Sequence, residues 1–217
     1  MAAGSASIVE TSASRLDVNQ HSDRAVIDWR SFDINANEHT SFQQPSSSSV
    51  ALNRVQGSGS SLIDGRLTAN GQIFLLNQNG VLFGKNARVD VAGLVATTAD
   101  INNEDFMSGH YRFDKASANP DAQVVNQGQI HVQDGGAVVL AAPRVSNEGL
   151  IAARLGNVAL AGTKTFTLDF HGDGLLQFDA GSEITEQPSD WQSASDAGTI
   201  VADGGIVAMS ARGRRCG

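Results

Sequence analysis

The sequence predicts an all-β fold, a parallel β-helix in which short strands wind into stacked coils. Two observations predict it. A unit of 21 residues recurs in the C-terminal half, with glycine and asparagine at fixed places. The composition is also poor in charge (18%), with 23 Gly, 12 Arg and only 3 Lys, and is filled out with Asn, Ser, Gln, Thr, Val, Ile, Leu and Ala. A neutral polar coat over small and branched apolar residues suits stacked strands better than amphipathic helices.

The repeat is read directly. Asn126-Gln127-Gly128 is followed by a β-type run, and Asn147-Glu148-Gly149 by another, the two glycines standing 21 residues apart. Seven residues on lie Gly135 and Gly156, again 21 apart, each leading into a second run, Ala137–Leu140 and Val158–Ala161. Asp196-Ala197-Gly198 opens a third copy, with Gly205 before Ile206–Met209. One such unit cannot bury its own apolar face. Stacking equivalent strands in parallel, about 4.8 Å apart, builds a continuous core. Glycine suits the corners, and Asn in one register on successive coils can form an amide ladder.

Gly149 and Gly198 are 49 residues apart, so one coil carries an insertion of about 28 residues, roughly Thr163 to Ser193. Within it, Thr165–Phe170 alternates with period two, His171-Gly172-Asp173-Gly174 signals a turn, and Leu175–Phe178 returns, which reads as an extra-helical β-hairpin. The N-terminal half holds strand-like runs without a fixed period: 24–29, 31–34, 50–55, 61–67, 71–76, 81–83 and 88–91. Because an open sheet edge invites aggregation, residues 5–40 are expected to form an N-terminal cap. Residues 102–123 read as an excursion or loop. The division expected is one domain over 1–211, with coils over 50–162, the hairpin insertion over 163–193, a further coil over 195–211 and a tail over 212–217.

Several of these segments resemble a known family. Arg24–Ile34, Val50–Val55, the block Ile63–Gly84, Gly93–Thr98 and the hairpin around Leu168–Leu176 resemble the two-partner secretion (TPS) domain, also called the haemagglutination activity domain, of filamentous-haemagglutinin-like adhesins, the TpsA exoproteins. The resemblance runs from about residue 8 to 211. It implies a right-handed parallel β-helix with an N-terminal cap and extra-helical strands. It also implies a function: a secretion-signal domain, recognised in the periplasm by an outer-membrane β-barrel transporter with POTRA domains (TpsB type) and nucleating β-helix folding at the cell surface. The family has Asn-Pro-Asn-Gly where this chain has Asn77-Gln78-Asn79-Gly80, so Asn77, Asn79 and Gly80 carry over and the rigidity of proline does not. The family's Asn-Pro-Asn-Leu motif is absent, which places the chain with the adhesins that lack it.

Asn77, Gln78, Asn79 and Gly80 are therefore the candidate recognition or secretion motif, and also read as a β-helix corner. Asp169, His171 and Asp173 alternate like a metal cluster but fall at a hairpin tip without a fourth ligand. No metal or cofactor is expected. His21, His39, His110 and His131 lie in unrelated segments, and no nucleophile elbow, Walker loop or zinc-protease helix is present, so no enzyme is expected. A net charge of -8 disfavours nucleic acid. One cysteine, Cys216 in the tail, excludes a disulfide scaffold, and no apolar run reaches the roughly 20 residues of a membrane span. The expected chain is a monomer, secreted or at the cell surface after transit through the periplasm, with its native signal peptide removed or outside this sequence. Two rival readings remain. The first is an adhesin module touching host glycan or matrix polysaccharide, directly or through a downstream passenger; 2 Trp and 1 Tyr leave few rings for sugar stacking. The second is a β-helical lyase or hydrolase, for which the sequence shows no carboxylate pair.

Overall fold

The computed structural model describes residues 1–170, 176–180 and 194–211. The chain opens with an antiparallel hairpin of β1 (Ala6–Ser12) and β2 (Arg15–Gln20). From β2 onward the winding is parallel. The first turn adds β3 (Arg24–Trp29) and a single bridge at Ile34. The next two are β4 (His39–Gln43), β5 (Val50–Val55), β6 (Ser61–Ile63), and β7 (Arg66–Ala69), β8 (Gln72–Asn77), β9 (Val81–Phe83).

The fourth coil runs β10 (Arg88–Val91) and β11 (Gly93–Thr97), then leaves the stack for α1 (Asn103–Ser108) and β12 (Tyr111–Phe113) before returning as β13 (Gln123–Asn126). The fifth is uninterrupted: β14 (Gln129–Val132), β15 (Ala137–Ala142), β16 (Arg144–Asn147). The sixth has β17 (Leu150–Ala152) and β18 (Asn157–Gly162), an antiparallel pair β19 (Phe166–Phe170) and β20 (Leu176–Ala180), and β21 (Ala194–Asp196). Two last strands, β22 (Thr199–Val201) and β23 (Ile206–Ala211), begin a seventh.

Equivalent strands make three sheets along the axis: β1-β2-β4-β7-β10-β14-β17-β22, β3-β5-β8-β11-β15-β18-β23 and β6-β9-β13-β16-β21. Apart from β1, every pairing in them is parallel. The sequence expectation of a parallel β-helix is met. Parallel pairing begins at Arg15, inside the span assigned to the cap.

Register explains the repeat. Leu67, Val89, Ile130 and Ile151 stack inward in the first sheet; Ile73, Leu94, Val138 and Val158 in the second; Val81, Val124 and Val145 in the third. All belong to one buried core. Each apolar residue thus sits above its own kind, and the core continues along the axis without any single coil having to close it.

The second sheet is buried on both faces, which explains why its strands are nearly unbroken apolar runs. Its outer face, with Phe74, Leu76, Val95 and Val139, is covered by Phe106, Tyr111, Phe113, Phe166 and Leu168. These come from α1 and from a small antiparallel sheet, β12-β19-β20. Phe74 meets the Tyr111 ring edge-on with centroids 5.1 Å apart, and Phe113 stacks on Phe166 at 4.5 Å. The excursion expected over 102–123 runs from 98 to 122 and forms a lid on the flank. Its helix starts where Asn102 Oδ1 accepts from the Asp105 N–H and stops at Gly109, with φ of 81°. The sequence-expected hairpin packs on the same flank, and its turn at 171–175 lies outside the described residues.

One stacking expectation is corrected. Gly156 lies over Gly136, not Gly135, since a Cβ on Gly156 would strike the Gly136 carbonyl oxygen. The stretch from Gln129 to Ala137 is one residue longer than that from Leu150 to Asn157, so Ala137 pairs with Asn157, 20 residues on, while Gln129 pairs with Leu150, 21 on. Gly135 (φ 78°) takes the left-handed bend, and Leu155 (φ 55°) and Gly204 (φ 73°) take it in the following coils.

Candidate functional site: the Asn77–Gly80 corner

Strand β8 ends at Asn77 because the chain must turn from the second sheet into the third. Asn77 belongs to the sheet, paired with Val55, and has 0% exposure. Its Oδ1 accepts the Asn79 N–H at 2.9 Å, an Asx turn, and the Gly80 N–H donates to the Asn77 carbonyl at 3.0 Å. Gly80 takes φ of 115°, a conformation L side chains rarely adopt, and a Cβ there would meet the Gln123 carbonyl oxygen at 2.8 Å.

The same corner holds the coils on either side. Asn77 Nδ2 donates to the Gly59 carbonyl and to Ser61 Oγ, both at 3.0 Å. Asn79 Nδ2 donates to the Gly57 carbonyl at 3.0 Å. Toward the later coil, Ser117 Oγ donates to the Gln78 carbonyl at 2.5 Å. Asn77, Asn79 and Gly80 thus act as one unit, while Gln78 contributes its backbone and leaves its side chain half-buried. Gln78 stands second in this turn, the place proline favours in type I and II turns. Asn77 before it is extended, as a residue preceding proline must be.

A second buried polar feature runs parallel to the axis. Asn126 Nδ2 donates to Asn147 Oδ1, and Asn147 Nδ2 to Asp196 Oδ1, each at 2.8 Å. Asn126 and Asn147 have 0% exposure, and Asn126 Oδ1 and Asp196 Oδ1 also accept the N–H groups of Gly128 and Gly198. The glycines stack beside this ladder, for a Cβ on Gly149 would strike the Gly128 carbonyl and one on Gly198 the Gly149 carbonyl. The amide ladder expected from the repeat is present and ends on a carboxylate.

Sequence reasoning missed Arg54. This side chain, 11% exposed, donates Nε to Asp100 Oδ1 at 2.8 Å, Nη1 to Asn103 Oδ1 at 2.8 Å and Nη2 to the Ile101 carbonyl at 2.5 Å, with Asp28 at 3.5 Å. It fastens the 98–122 excursion to the second sheet. The available signal was an arginine inside an apolar strand run, since arginine is rarely buried unless paired.

The remaining candidates do not assemble. Asp169 is on β19, and His171, Asp173 and Cys216 lie outside the described residues. His39 and His131 lie on different strands of the first sheet, His21 between β2 and β3, and His110 between α1 and β12. Among the described residues, no group of three His, Cys, Asp or Glu side chains is arranged to hold a metal. No described helix is long and apolar enough to cross a membrane.

A parallel β-helix with a lidded flank and an Asn-built corner fixes the architecture but not by itself the function. The chain belongs to the TPS secretion domain family, whose model matches residues 2–214. Two relatives are heme/hemopexin-binding proteins of Haemophilus influenzae. One is 35% identical over 213 residues, covering 95% of this chain and 22% of that protein. The other is 42% identical over 125 residues, 58% of this chain and 13% of that protein. The chain thus spans less than a quarter of the length of these relatives. The crystal structure of the HMW1 secretion domain from Haemophilus influenzae matches with a TM-score of 0.80 and 29% identity, over 95% of this chain and 55% of that one.

Proposed function

We propose that residues 1–211 form the export address of a larger exoprotein, recognised in the periplasm by an outer-membrane β-barrel transporter with POTRA domains, and that the folded domain then templates further coils at the cell surface. The observation that supports this reading is the match of the TPS secretion domain model to residues 2–214, on a stack whose equivalent strands pair coil after coil in three sheets. Each coil of such a stack offers the next a row of backbone partners. The work is recognition and folding rather than catalysis.

In this reading Asn77 acts through folding. A side chain with 0% exposure cannot be touched by a partner in the folded domain, and its bonds close two loops. The net charge of -8 suits a basic partner surface, with association slowed by salt. The test is export of this domain from cells with and without its cognate transporter. Appearance in the medium only when the transporter is present supports the reading. Retention in the periplasm in both cases contradicts it.

A further inference from the structure

The outward face of the first sheet carries a column of basic side chains. Arg15, His39, Arg66 and Arg88 are successive register partners on β2, β4, β7 and β10, so neighbours stand about 4.8 Å apart. Arg15 is paired with Asp17 on its own strand at 3.0 Å, and His39 Nε2 bonds to Thr68 Oγ1 at 2.8 Å. Arg66 and Arg88 are exposed and belong to none of the ion pairs among the described residues. Arg88 Nη1 donates to the adjacent Ala87 carbonyl at 3.0 Å. Like charges directly opposite each other on a sheet are destabilising. Here two guanidinium groups are so placed in a chain with 23 acidic residues, eight more than its basic ones.

Arg66 and Arg88 line a cleft of about 290 Å³ with Val89, Asp90, Gln129 and His131. Asp90 is the one carboxylate there, in register with Thr68 and His131. We infer that this column binds an acidic polysaccharide, with Arg66 and Arg88 holding its carboxylate or sulfate groups and Gln129 and His131 meeting its hydroxyls. Guanidinium matches both oxyanions with paired N–H donors. The cleft is open, so a single small anion would gain little from it. A chain lying along the axis sums contacts from several rungs. Duplex DNA offers phosphates but lacks the free ring hydroxyls that Gln129 and His131 would meet, so the same column is expected to hold it less well.

The experiment measures binding of the full chain to immobilised heparin and, separately, to hyaluronan, which carries carboxylates alone. Variants are R66Q/R88Q and, because the tail holds three further arginines, R212Q/R214Q/R215Q. The expected result is retention on at least one polymer, weakened about tenfold or more in R66Q/R88Q, weakened by added salt, and kept in the tail variant. The melting temperature of R66Q/R88Q should not fall, since the change removes a like-charge pair. Retention on heparin alone assigns sulfate, and retention on hyaluronan assigns carboxylate. The inference is overturned if neither polymer holds the wild type, if R66Q/R88Q binds equally well, if the tail variant alone loses binding, or if duplex DNA binds as tightly.

Discussion

Asn126 and Asn147 are joined side chain to side chain across one full coil, Nδ2 to Oδ1 at 2.8 Å over 21 residues. Asn147 passes the same bond on to Asp196. Removing the middle member leaves the buried Asn126 Nδ2 with only a long bond to the Leu150 carbonyl at 3.5 Å, while the exposed Asp196 keeps the Gly198 N–H. Asn147→Ala is expected to cost about 1–2 kcal/mol, the penalty for orphaning one buried polar group. Urea denaturation of variant and wild type measures it.

Leu155 takes the left-handed bend that Gly135 and Gly204 take in the neighbouring coils, and it is 60% exposed. A non-glycine residue there is held at a cost of about 1–2 kcal/mol. Leu155→Gly relieves that strain and gives up a side chain that is already 60% exposed, so it should raise stability by about 0.5 kcal/mol after the entropy of glycine is counted. A melting temperature equal to or below the wild type would show that Leu155 packs usefully on its coil.

Arg54 predicts a third effect. Arg54→Met keeps the stem but leaves Asp100 Oδ1, Asn103 Oδ1 and the Ile101 carbonyl without their donor. The expected loss is about 2–3 kcal/mol, toward the low end for a broken buried pair because Asp100 is partly exposed. Hydrogen exchange should show the 98–122 segment opening first, since Arg54 is its anchor.

Acid should weaken the domain in two stages. Burial, then the charges of Arg15 and Arg66, hold the His39 pKa below its ordinary value, against a smaller opposing effect of Asp17. The native state therefore binds fewer protons than the unfolded chain. Stability is full above about pH 6.5 and falls as pH drops through that value toward the native pKa. The Asp17 carboxylate is held low by Arg15 and Thr11, and that of Glu38 by Asn35. Their contribution is present above about pH 4 and is lost below it. A urea midpoint that declines between pH 7 and 5.5, with the decline absent in His39→Gln, is the expected profile.

The glycines and asparagines of the repeat made the stacked coils legible, because a corner that admits no Cβ and a buried amide that needs a partner constrain residue type at a fixed spacing. A constant 21-residue spacing sets Gly156 over Gly135, whereas the fold sets it over Gly136, 20 residues back, and gives the bend to Leu155. Arg54 and the lid formed by Phe106, Tyr111, Phe113 and Phe166 were not legible. Their partners lie far along the chain, Asp100 being 46 residues from Arg54, and no period links them. The Asn77 corner was found by resemblance and by turn chemistry, but its hold on Gly57, Gly59 and Ser61 is visible only in three dimensions.

The most direct test of the account joins export to folding at that corner. Asn77→Ala should lower thermal stability by orphaning the Gly59 carbonyl and the Asn79 N–H, and should lower the yield of secreted domain in step with it. A second-site stabilising change, such as Leu155→Gly, should raise both together by part of the loss. Lost export from a variant whose melting temperature is unchanged would contradict the account and assign Asn77 to direct contact with the transporter.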